Sequence, residues 1–198
     1  MSQLLLKEFY SFNNSPGLLT EQDRQDMQNN NCMILAGIMQ RADAENGNGR
    51  IYPYHILERE INNYQHLVKN NRALGELDHR DDAVVNLANA SHVVTEIFWD
   101  GKEVKGKVKI LDTPKGQILQ SLIKNGITLG ISSRGVGSTE ERGGKTVVQD
   151  DFQLVCFDFV SEPSTTGAFM LREGKNIGAG VFDKSYRVNR VLNNILSR

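Results

Sequence analysis

Between Ser91 and Ile110 the chain runs through Val93-Val94-Thr95-Glu96-Ile97-Phe98-Trp99, breaks at Asp100-Gly101, and resumes with Val104, Gly106, Val108 and Ile110 in alternation. β-branched and aromatic runs of this kind fit a pleated, half-buried surface. Asp-Gly between two of them is a hairpin signal, because both turn positions need a backbone that Asp and Gly adopt cheaply. An antiparallel pair is thereby written into the middle of the chain.

Helices flank it. Pro53 suits the first turn of a helix, and Leu57, Ile61, Tyr64 and Val68 recur along one face, predicting an amphipathic helix over 53–70. Pro114 opens a second helix with Ile118, Leu119, Leu122 and Ile123 as its apolar stripe, and Gly126 stands where a helix stops. The short run Met33–Met39 suits a buried strand, Asn46-Gly47-Asn48-Gly49 forces a turn, and further strands are expected leading into 127–134, at 146–148 and at 152–160. Residues 1–31 are polar, with a Ser15-Pro16-Gly17 turn, and read as a mobile N-terminal arm. One domain is expected over 32–171, followed by a glycine-rich linker and an amphipathic C-terminal helix within 172–198.

At 198 residues the chain has the size of one ordinary domain. The net charge of -1 gives no field to draw in nucleic acid or an acidic membrane, so neither is expected as a partner. No apolar stretch is long enough to span a bilayer, and Leu4-Leu5-Leu6 is too short for a signal-peptide core. Cys32 and Cys156 lack the spacing of a zinc site or a disulfide scaffold and are expected reduced. Function is therefore sought in a site.

Three places combine reactive side chains with strand-edge or tight-turn context: Gly75-Glu76-Leu77-Asp78-His79, Gly130-Ile131-Ser132-Ser133-Arg134-Gly135 and Phe157-Asp158-Phe159. Acyl transfer by a serine needs an imidazole to take its proton and a third group to orient that imidazole, and these segments supply a candidate for each role. Gly130 and Gly135 would permit a tight, exposed turn whose N–H groups could face an oxyanion. Asp158, between large apolar neighbours, needs a partner, and a buried pair with an arginine is an equally good account of it. Arg134 could aid the oxyanion or pair with an acid such as Glu76. His92 is the rival to Asp158 for the third place.

The order and spacing of these segments resemble the prohead (procapsid) proteases of large tailed phages, more remotely similar to the herpesvirus assemblin proteases. The likeness runs through Asn48-Gly49-Arg50-Ile51-Tyr52-Pro53, Gly75–His79, Ser91–Thr95, Phe98–Gly101, Leu111–Pro114, Gly130–Gly137 and Val148–Ser164, roughly residues 33–170. Arg80 departs from it, standing where the family often has proline. The resemblance implies an α+β fold, a mostly antiparallel β-barrel with flanking helices, and a catalytic pair of His79 and Ser132. It carries a third catalytic role onto Asp158, and leaves Arg134, Gly135 and His92 as supporting candidates. No metal or organic cofactor is implied.

Scaffold and major capsid proteins are the implied substrates, inside the immature head in the host cytoplasm, with homo-oligomerisation allowed. Cutting is implied after glutamate with an aliphatic residue two positions earlier. Leu6-Lys7-Glu8, Leu19-Thr20-Glu21 and Leu171-Arg172-Glu173 fit that pattern, making Glu8, Glu21 and Glu173 self-cleavage candidates. Two other classes compete: a non-catalytic structural protein on the same fold, and a metal-dependent hydrolase using Asp78, His79 and His92.

Overall fold

The structure is a computed structural model that describes residues 4–10, 17–78, 83–127, 129–161 and 169–170. Its strands are β1 (Leu4–Tyr10), β2 (Ile34–Arg41), β3 (Arg50–Ile51), β4 (Leu74–Glu76), β5 (Ala90–Asp100), β6 (Glu103–Ile110), β7 (Leu129–Gly137), β8 (Thr139–Arg142), β9 (Lys145–Val148), β10 (Gln153–Val160) and β11 (Phe169–Met170). The helices are α1 (Glu21–Asn29), α2 (Tyr54–Lys69) and α3 (Pro114–Lys124). The fold is α+β with mostly antiparallel sheets.

The central hairpin forms, with its two-residue turn at Gly101-Lys102, one position later than the Asp-Gly signal, since Asp100 is still paired in β5. Asp100 pairs with Glu103 across the turn, and Gly101 sits at φ 61°. Its strands continue into a sheet ordered β2-β6-β5-β4. A second sheet is ordered β1-β7-β10, with β11 also on β7, and a small third is ordered β3-β9-β8. α2 buries Ile56, Leu57, Ile61 and Tyr64. Its Tyr64 ring meets Phe157 edge to face at 5.4 Å, and its Glu60 Oε2 accepts the Leu154 N–H at 2.9 Å where β10 bulges. The core joins Leu35, Tyr52, Ile61, Val94, Ile131, Phe157 and Phe159 in one cluster. Each such side chain taken fully out of water contributes about 1.5–3 kcal/mol.

Two expectations are corrected. No closed barrel forms among the described residues. β4 is only 3 residues long and meets β10 through a single parallel bridge, Leu77 to Phe159, reinforced by Asp78 N–H donating to the Phe159 carbonyl at 2.8 Å. Side chains, described below, fill the remainder of that seam. And within 1–31, read as an arm, β1 pairs with β7 from Leu4 to Tyr10 and contributes the buried Leu6 to the core. α1 docks beside β6, where Asp23 and Glu96 meet the Lys107 ammonium at 2.8 and 2.7 Å, while Leu19, Ile34 and Ala36 form a small apolar cluster. The 172–183 linker and the tail helix lie outside the described residues.

Candidate active site

β7 carries Ser132 at its centre, flanked by β1 and β10. Directly opposed residues of a ladder share a face, and alternate residues of a strand share a face. Ser133 opposes Phe157 and Ile131 opposes Phe159, and Ile131 and both phenylalanines belong to the apolar core. Ser132 opposes Asp158 and is two residues from Arg134, so these three occupy the other, polar face. The two serines are thereby sorted. Ser133 Oγ is buried without a hydrogen-bond partner, whereas Ser132 Oγ has the Ser133 carbonyl among its contacts, at 3.4 Å. Ser132 is itself fully enclosed.

The glycines beside these serines do not make a turn. β7 runs unbroken from Leu129 to Gly137, and Gly135 is a mid-strand residue opposed by Leu6 and Leu154. Phe152 explains that glycine: a Cβ at 135 would stand 2.4 Å from its ring.

Asp158 has found the arginine that its burial demands. Its Oδ2 accepts from Arg134 Nε at 2.9 Å, and its Oδ1 from Arg134 Nη2 at 3.3 Å and from the Glu76 peptide N–H at 2.9 Å. Arg134 Nη2 also donates to Glu76 Oε1 at 2.9 Å, and all three side chains are fully buried. The guanidinium thus binds two acids from two strands, which is the pairing alternative read from sequence. Burial works against its charge, but Asp158 and Glu76 around it outweigh burial and raise its pKa above the ordinary arginine value. Burial, and then Asp158, push the Cys156 thiol well above its usual range. It remains a protonated thiol at neutral pH, 3.3 Å from Asp158 Oδ1.

His92 lies on β5, one strand away, with both ring nitrogens engaged. Nε2 faces the Phe157 carbonyl at 3.0 Å and Nδ1 faces Ser91 Oγ at 2.9 Å. A carbonyl can only accept, so Nε2 carries the proton and Nδ1 accepts from Ser91. The ring reaches β10 by crossing β4 at Gly75, where a Cβ would come within 2.0 Å of the Phe157 carbonyl and 2.3 Å of His92 Nε2. Burial drives the pKa of His92 down to about 4, against the opposing pull of Asp158 and the Phe157 carbonyl. It is a neutral cross-tie between sheets.

His79 lies outside the described residues. The strand leading to it does not: β4 ends at Glu76, and Leu77 and Asp78 are fastened to Phe159, next to Asp158. Leu77-Asp78 and the serine strand thus both border β10. Of the self-cleavage candidates, Glu8 lies within β1 opposite Ser133, Glu21 is the first residue of α1 behind the Thr20 cap, and Glu173 lies outside the described residues. Among the described residues no three His, Cys, Asp or Glu side chains are grouped to hold a metal ion. Glu76 forms the pair with Arg134 that the sequence suggested; its further contacts to Asp158, Asn86 and Asn89 are seen only in the fold.

Comparison with known proteins gives the family. Residues 15–177 match the family of prohead core protein serine proteases, and the chain belongs to that family. It is 33% identical over 158 residues to the prohead core protein protease of Enterobacteria phage T4, spanning 77% of this chain and 74% of that protein. It is also similar to the solved structure of the bacteriophage T4 capsid assembly protease, with a TM-score of 0.71 and 27% identity over 82% of this chain and all of that one.

Proposed function

We propose that this chain is a serine endopeptidase of the immature phage head, cutting scaffold and major capsid proteins through an acyl-enzyme on Ser132. His79 takes the serine proton and later delivers it to the leaving amine. Asp158 is the third group: Arg134 fixes its side chain on the same face as Ser132, beside the segment that leads to His79. The observation that carries this reading is the sorting of the serine pair, which turns Ser132 toward the polar network and Ser133 into the apolar core.

Because Ser132 is enclosed, turnover requires the cover over this face to open. Self-cleavage after Glu8 or Glu21 likewise requires β1 or α1 to open first, since both bonds belong to formed elements. Cutting after Glu173 and recruitment by the tail 184–197 complete the proposal. Co-expression with scaffold and capsid proteins tests it: the wild-type chain should shorten them at Leu-x-Glu sequences, and Ser132→Ala should leave them whole. Equal processing by Ser132→Ala would refute the reading.

A further inference from the structure

We propose that Glu76 is a positioning residue for this reaction, fixing both ends of the connection that carries His79 against the strand that carries Ser132. The inference rests on the reading of His79 and Ser132 as the acting pair.

Glu76 is the last residue of β4, three positions before His79, and is fully buried. The β4–β5 register shifts between Gly75 and Glu76. Such an irregularity re-aims a side chain out of its regular alternation. The Glu76 carboxylate then works in two directions. Toward β7 it receives Arg134 Nη2 at 2.9 Å, while its own peptide N–H donates to Asp158 Oδ1 on β10 at 2.9 Å. Toward the far side of the connection, the same Oε1 receives the Asn86 peptide N–H at 2.8 Å, and Oε2 receives Asn89 Nδ2 at 3.4 Å. One side chain therefore ties the entry of the 77–85 segment to its exit, and ties both to the arginine two residues from Ser132.

The chemistry favours a positional role. The planar Arg134 guanidinium grips Asp158 through two nitrogens and reaches Glu76 with one of them, and a fork of this kind fixes direction as well as distance. Well-packed apolar residues often replace a buried ion cluster at no cost in stability, so stability alone does not call for one here. Reaction rate does, because an imidazole displaced by about 1 Å from its serine can lose about 100-fold in rate.

Glu76→Gln tests this in the full-length protein. Glutamine keeps the shape and an acceptor for the Asn86 N–H but withdraws the charge facing Arg134. With a fluorogenic peptide containing Leu-Arg-Glu, the sequence at 171–173, kcat should fall about tenfold while KM stays within about twofold, measured well below the melting temperature. The rate at which a fluorophosphonate labels Ser132 should fall in parallel, and this readout needs no peptide. A folded Glu76→Gln chain with wild-type kcat and labelling rate would overturn the inference. Should that variant not fold, Asn89→Ala leaves the buried ion pairs intact and should lower kcat about threefold with KM unchanged. Unchanged kcat there would equally overturn it. Ser132→Ala is the control: if it still cuts, the assignment of the nucleophile is what has failed. If it is inert while Glu76→Gln is fully active, only the role of Glu76 is lost.

Discussion

Ser132 and Asp158 face each other across the β7–β10 ladder, with Arg134 fastened to the carboxylate at 2.9 Å. The pairing places a buried ion pair on the same strand face as the hydroxyl proposed to attack, itself fully buried. Removing Asp158 leaves Arg134 with Glu76 alone and takes the acceptor from the Glu76 peptide N–H and the Cys156 thiol. Asp158→Ala should therefore lower stability by about 3–5 kcal/mol in denaturant titration, far beyond the roughly 0.5 kcal/mol of an ordinary surface change. A loss below about 1 kcal/mol would mean that the charge is compensated elsewhere.

Gly75 is required by the crossing of His92 over β4. Any Cβ there collides with backbone at Phe157 and with the imidazole, neither of which is the loose end of a flexible chain. Gly75→Ala should give insoluble protein, or a melting temperature lowered by roughly 10 °C or more, as a loss of several kcal/mol implies. Thermal melting of the purified variant decides this.

His92 makes stability depend on pH. Its folded pKa of about 4 lies below the ordinary 6.5, so between those values the unfolded chain takes up a proton that the folded chain refuses. Stability should fall as pH drops from about 6.5 to about 4, by about 3 kcal/mol for this group, and level off below. His92→Gln should flatten that part of the profile. Denaturant midpoints across the range, with a slope unchanged in the variant, would contradict the assignment.

The α1 cap governs access to the bond after Glu21. Thr20 Oγ1 accepts the Asp23 N–H at 3.2 Å while Asp23 Oδ2 accepts the Thr20 N–H at 2.7 Å, and Asp23 also anchors Lys107. Losing a cap costs about 1 kcal/mol, so Asp23→Ala should speed the appearance of a terminus after Glu21 about fivefold by intact-mass kinetics. Unaltered kinetics would show that opening of α1 does not limit that cut.

Much of the scaffold was legible from local pattern. The β5–β6 hairpin, α2 and α3 lie where periodicity and proline placed them, because each writes its own signal within a dozen residues. β1 and α1 were misread as an arm. The polar composition of 1–31 hid the Thr20-x-x-Asp23 capping pattern, and Leu4–Tyr10 becomes a strand through its long-range pairing with β7. Gly135 was read as a turn residue, although its glycine answers to a ring 17 positions away, Phe152. At the candidate site, the family resemblance singled out Ser132, Arg134 and Asp158. The resemblance chose Ser132 over Ser133, the alternation of β7 against β10 adds a physical reason, and only the fold shows that Glu76 and Asp158 share one guanidinium.

The central claim is that Ser132 is the nucleophile, and a fluorophosphonate adduct mapped by tandem mass spectrometry tests it most directly. The modification should fall on Ser132, disappear in His79→Ala, and persist in Ser133→Ala, whose lost hydroxyl has no hydrogen-bond partner and should cost little stability. An adduct on Ser133, or labelling of Ser132 that is indifferent to His79, would contradict it.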